Sequence, residues 1–201
     1  MPRPLRPQFA GGLYHVSSRG NRGAEIFRDD GDRVLFLSRL LITLDRFEWD
    51  LHAWCLLSTH FHLLVTTRRA TIAAGMQELK SRYAELFNGR YGLWGHVFGG
   101  RYGHRLVENE AHLMNTYAYI ALNPVRAGIC SRPEDWWWSS YSGVVTRREG
   151  ALFDRESLLV HFADQGGTRG LRRLVESALA EERLRRSGHV WGLTPDLALR
   201  V

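Results

Sequence analysis

Lysine is almost absent from this chain: of 27 basic residues in 201, only Lys80 is lysine, and all the rest are arginine. Cysteine is nearly as scarce. Cys55 and Cys130 are the only two, too few for a disulfide framework, so a reducing cytoplasm is the expected compartment. No apolar run approaches the ~20 residues needed to span a bilayer, so no membrane segment is expected. The opening Met1-Pro-Arg-Pro-Leu-Arg-Pro-Gln has no apolar core of a secretory signal, and none is predicted. These absences leave a globular chain with enough residues to bury a real core.

What is present is positive charge, aromatics and histidine. The net charge is +6, and the cations are guanidinium forks that match phosphates and stack on bases, which favours a polyanionic partner such as nucleic acid.

The most informative stretch is Leu56-Leu57-Ser58-Thr59-His60-Phe61-His62-Leu63-Leu64-Val65. In a strand, side chains at i and i+2 share a face, so His60 and His62 project together while Phe61 turns into the core. Two imidazoles so placed can reach one divalent metal ion, although two ligands alone do not close a site. Trp49–Leu57 reads as the preceding strand, with Ser58-Thr59 as a two-residue turn. That pairing sets Leu57 opposite His60 and Cys55 opposite His62, and Cys55 shares the histidine face. The same alternation sends His52 to the other face with Trp54 and Phe61, so His52 is not expected to be a ligand.

Around this hairpin the elements alternate. Leu13–Ser18 reads as a strand running into the basic turn Arg19-Gly20-Asn21-Arg22-Gly23, which can bring N–H and guanidinium groups to a phosphate. Apolar positions from Val34 to Leu44 have helical spacing behind the acidic N-cap candidates Asp29 to Asp32. Thr71–Asn88 reads as a second helix, with Ile72, Met76, Leu79, Tyr83 and Leu86 on one stripe and an end at Asn88-Gly89. After a glycine-rich loop, His104–Val107 is a strand candidate beside Trp94, Arg101, Tyr102 and Arg105, the cationic and aromatic mix that single-stranded nucleic acid uses. A third helix over Glu110–Leu122 is predicted to stop at Asn123-Pro124. Tyr119 and Asn123 are i and i+4 and share a face, which pairs one tyrosine with an amide able to bind metal; Tyr117 points elsewhere.

Strand, helix, strand, strand, helix, strand is the split βαβ order, so the expected fold is α+β, a ferredoxin-like βαββαβ sheet with an extra helix across its open face. Residues 1–11 read as a flexible basic arm. Residues 143–201 read as a helical extension, with helices over 154–162 and 168–186, the second carrying the apolar stripe Leu171, Leu174, Val175, Ala178 and Leu179. The extension is compatible with packing on the core, with added DNA contacts or with dimerisation.

Three motifs together resemble a known family. Tyr14-His15-Val16 with Arg19-Gly20-Asn21-Arg22, then His60-Phe61-His62, then Tyr119-Ile120-Ala121-Leu122-Asn123-Pro124-Val125-Arg126-Ala127-Gly128 are similar to the IS200-like Y1 transposases of the HUH endonuclease superfamily. Among these, the REP-associated tyrosine transposases also carry an aromatic segment like Trp136-Trp137-Trp138-Ser139-Ser140-Tyr141 after the third helix. The resemblance covers roughly residues 11–142, which makes 12–142 the expected HUH domain. It implies an enzyme that cleaves and rejoins single-stranded DNA, often at hairpins, through a 5′-phosphotyrosine and with Mg²⁺ or Mn²⁺. It further implies Tyr119 as nucleophile, His60, His62 and Asn123 as metal ligands, and Arg19, Asn21 and Arg22 as DNA contacts, with Arg101, Arg105 and Arg126 along the DNA path. A monomer or homodimer is expected. The alternatives are a catalytically silent, domesticated nucleic-acid-binding protein of the same fold, and a small structural-zinc protein using His60, His62 and Cys55.

Overall fold

A computed structural model describes residues 8–147 and 155–186, so the expected arm lies mostly outside the described residues, as does the predicted start of the first C-terminal helix. The element order is β1 (Gly12–Arg19), α1 (Asp30–Phe47), β2 (Trp49–Leu57), β3 (His60–Thr67), α2 (Ile72–Tyr91), β4 (Gly103–Leu106) and α3 (Glu110–Arg126). Three further helices follow: α4 (Ser140–Val145), α5 (Arg155–Leu159) and α6 (Thr168–Arg186). The four strands form one antiparallel sheet in the order β2-β3-β1-β4. This is the expected ferredoxin-like α+β arrangement, in which α1 and α2 each carry the chain across one intervening strand. No helix among the described residues is long and apolar enough to cross a membrane.

Strand alternation divides the sheet into two faces. Phe61, Leu63 and Val65 of β3 are fully buried beneath α1 and α2, where Phe61 packs on Phe36 with ring centroids 4.6 Å apart. The opposite face carries His60, His62, His15, Arg19 and Arg105, and α3 lies over it. The hairpin has the predicted register, Leu57 opposite His60 and Cys55 opposite His62.

One face assignment is corrected. A β-bulge between Leu51 and Ala53 inserts an extra residue into β2, and this reverses the alternation beyond it. His52 therefore lies on the α3 side, where its Nε2 is 2.8 Å from Thr66 Oγ1 and its ring is 4.7 Å from that of His161. These partners hold it at the Thr66 end of the sheet rather than beside His60 and His62.

Two helix ends also move. α2 passes through Asn88-Gly89 because Phe87, rather than Leu86, is buried there and Arg90 is held by Asp29 and Asp32. Its left-handed terminus is Gly92, at φ 62°. α3 continues through Asn123-Pro124 to Arg126. A proline inside a helix costs roughly 3 kcal/mol. Here it stands in the last turn, with Asn123 and Pro124 both buried, and the Ala127 and Ile129 N–H groups close the end on the Asn123 and Pro124 carbonyls. Packing overrides the local preference.

The open edge of β2 is covered by the aromatic segment. Leu56 N–H donates to Trp138 O at 2.9 Å, Trp136 Nε1 donates to Leu56 O at 3.0 Å, and Trp54 N–H donates to Ser140 Oγ at 3.0 Å. The segment thus removes an unpaired strand edge. In the C-terminal extension, α5 gives way after Leu159 to a 3₁₀ turn, and α6 lays its predicted stripe on the core, with Leu171 and Val175 buried.

Candidate active site

β3 supplies two histidines and β1 a third. His60 and His62 project from the same face with ring centroids 5.2 Å apart and planes nearly perpendicular. On the neighbouring strand, His15 stacks on His62, and its Nε2 lies 3.0 Å from His62 Nδ1. The tautomer in which His62 Nδ1–H donates to His15 leaves the His62 Nε2 lone pair free. That Nε2 is buried and has no hydrogen-bond partner among the described residues. An orphaned imidazole nitrogen costs about 1–3 kcal/mol, and a bound cation would compensate it.

Burial shifts all three rings towards their neutral forms. Burial lowers His15 to about 4, helped by the charges of His112 and Arg105. Burial puts His62 well below its ordinary value, reinforced by His15, His60 and Arg19. His60 is lowered by burial and by Arg19, against a hydrogen bond to the Asn123 side chain that raises it. Neutral imidazoles are the form that ligates metals.

α3 lays the tyrosine across these rings. Tyr119 packs edge-on against His62 at 5.3 Å and His15 at 5.6 Å between centroids. One turn later, buried Asn123 donates from Nδ2 to the Tyr119 carbonyl at 3.0 Å and meets His60 with its side chain. Because the helix continues through Pro124, Tyr119 and Asn123 keep the common face that their spacing requires. Tyr117 points away, against Phe162, with a centroid separation of 4.9 Å.

The expected DNA residues fall into groups. Arg19 ends β1 opposite His60, and Arg105 stands on β4 opposite His15, so both flank the histidine face. Asn21 and Arg22 are exposed in the one-turn 3₁₀ segment that follows, where Arg22 adopts a left-handed φ of 54°. Arg101 is exposed in the loop before β4. Arg126 is placed differently: its guanidinium lies over the Tyr119 ring, 5.0 Å from the centroid, and pairs with Glu182. Cys55 is wholly buried across from His62, and that burial pushes its thiol up. Among the described residues, no group of three or more His, Cys, Asp or Glu side chains is placed to hold a metal ion. The imidazoles of His60 and His62 and the amide of Asn123 are the polar groups that meet on this face.

His15 stands in the first motif, Tyr14-His15-Val16, but no role at the site is expected of it from the sequence. Alternation in β1 places it with Ser17 and Arg19, but only the β1–β3 pairing brings that face beside His62.

Comparison with known proteins agrees with this geometry. The family described as "Transposase IS200 like" matches residues 10–123, a span that holds His15, His60, His62, Tyr119 and Asn123. The comparison with curated proteins finds no match. Among solved structures, a REP-associated tyrosine transposase bound to a REP hairpin superposes with a TM-score of 0.62 at 20% identity, covering 77% of this chain and 94% of the other. At that identity the likeness is one of fold. The family match extends over more than half of the residues and includes β1, β3 and α3 as far as Asn123; the chain belongs to the IS200-like transposase family.

Proposed function

We propose that the protein is a metal-dependent single-stranded DNA nuclease and strand transferase, with Tyr119 as nucleophile. The observation that carries this reading is the packing of the Tyr119 ring against His62 and His15 while Asn123, one turn on, meets His60. His60, His62 and Asn123 would hold Mg²⁺ or Mn²⁺, and the partnerless His62 Nε2 fits that role. The ion would polarise the scissile phosphate and offset charge in the in-line transition state.

Tyr119 Oη attacks phosphorus. A bond forms between Oη and P, the P–O3′ bond breaks, the phenolic proton departs, and the released oxygen takes up a proton to become a 3′-OH. The 5′-phosphotyrosine conserves the phosphodiester energy. A second 3′-OH can therefore displace Tyr119 and rejoin the strand without a nucleotide cofactor. Arg19, Asn21 and Arg22 would contact the DNA backbone or bases, with Arg105 and Arg101 farther along the path. A similar protein binds a REP hairpin, which makes hairpin-bearing single strands the substrates to try first.

The test is incubation of the full chain with single-stranded DNA hairpins and Mn²⁺, followed by a denaturing gel. A covalent adduct is expected from the native protein and none from Tyr119→Phe. His60→Ala and His62→Ala should each lose metal-dependent cleavage while retaining DNA binding. An adduct that persists in Tyr119→Phe would remove Tyr119 as nucleophile, and binding without any adduct would favour a silent DNA-binding protein.

A further inference from the structure

We propose that Glu182, on the C-terminal helix α6, is a positioning residue that holds the Arg126 guanidinium over the Tyr119 ring, so that α6 completes the surroundings of the nucleophile. The inference rests on Tyr119 being the nucleophile. It assigns to the C-terminal extension a part in the chemistry that the family match does not cover, since Arg126 and Glu182 both lie beyond residues 10–123.

Three observations carry it. Arg126 follows Tyr119 by seven residues on α3, two helical turns, and its Cζ is 5.0 Å from the ring centroid. Arg126 Nε donates to Glu182 Oε2 at 2.8 Å, with both side chains largely shielded, at 34% and 20% exposure. Glu182 arrives on a helix docked by other means: Leu171 and Val175 are buried, and Arg183 Nη2 donates to Ser131 O at 3.2 Å. An arginine in the last turn of a helix has many rotamers to lose on being fixed. A carboxylate presented by a second, docked helix selects one.

The selected rotamer has a chemical consequence. The Tyr119 ring also touches His62 and His15 edge-on. The Arg126 guanidinium is a permanent charge against the ring. Negative charge gathers on the phenolic oxygen when the hydroxyl loses its proton before attack, and again when the oxygen is displaced during rejoining. A cation over a ring is held more strongly as the ring becomes anionic, so it stabilises that moment more than the resting state. Cleavage and rejoining should share the benefit.

The experiment measures two quantities on the full chain: affinity for a single-stranded DNA hairpin without metal, and the single-turnover rate of adduct formation with Mn²⁺. Glu182→Gln and Arg126→Gln should each slow adduct formation by about 5- to 30-fold while leaving affinity within about twofold. Arg126→Lys should recover part of the rate. The double variant should be no slower than Arg126→Gln alone, because Glu182 acts only through Arg126. Affinity falling in step with rate would make Arg126 a DNA contact and overturn the proposal, as would multiplying effects in the double variant or unchanged rates in both single variants. A native protein that binds DNA but forms no adduct overturns the nucleophile reading itself, and this inference with it.

Discussion

At the scale of single residues, the decisive contact is the 3.0 Å approach of His15 Nε2 to His62 Nδ1, because it determines which nitrogen of His62 faces the site. Metal-ligating histidines commonly donate their second N–H to a partner that fixes tautomer and ring orientation. If His62 ligates the proposed ion, that partner is another buried imidazole, His15. His15→Leu should weaken Mn²⁺ binding by about 10- to 100-fold with the fold intact, and His15→Gln should keep part of the affinity. Isothermal titration with Mn²⁺ beside a circular dichroism spectrum checks this, and unchanged affinity in His15→Leu would remove the role. The pair His60 and His62 was legible from its spacing alone, as were Tyr119 and Asn123. His15 was not, because its partner is 47 residues away along the chain.

At the scale of elements, the basic turn after β1 is the piece most dependent on one small residue. Gly20 N–H donates to Thr59 O at 2.8 Å, Asn21 N–H to Val97 O at 2.8 Å, and Gly99 N–H to Arg19 O at 3.0 Å. These bonds tie β1 to the β2–β3 turn and to the loop before β4. A Cβ on Gly20 would lie 2.0 Å from the Ala24 carbonyl oxygen, a backbone atom that cannot swing aside. Gly20→Ala should therefore cost about 1–3 kcal/mol, roughly 2–12 °C in Tm for a chain of this size. It should also weaken single-stranded DNA binding, since Arg19, Asn21 and Arg22 move with the turn. A melting curve and a binding isotherm with unchanged values would refute both statements. Strand limits in the hairpin followed directly from alternation and a two-residue turn. The helix ends at Asn88-Gly89 and Asn123-Pro124 did not, because buried Phe87 and buried Asn123 and Pro124 favour continuation more than the local residues favour stopping.

At the scale of the whole molecule, stability should depend on pH through buried neutral histidines. His52 is lowered to about 4 by burial, then by His161, against an opposing effect of Asp50. Its unfolded value is near 6.5, so the unfolded chain binds the proton more readily. The stabilisation is present above pH 6.5 and is lost as pH falls from 6.5 towards 4, by up to about 3 kcal/mol. The drop in Tm between pH 7 and pH 5 should be smaller in His52→Gln than in the native protein, and equal drops would refute the assignment. His15 and His62 act in the same sense, so it is the difference between the two proteins that reports His52. By itself the sequence determined what depends on near neighbours: the positive charge, the face shared by His60 and His62, the hairpin register and the turn-spaced Tyr119 and Asn123. Only the tertiary structure decided that His15 joins His62, that a bulge turns His52 towards α3, and that Glu182 meets Arg126 over Tyr119. Periodicity is a property of one segment, whereas these contacts arise between segments whose order, register and docking are set by packing across the whole chain.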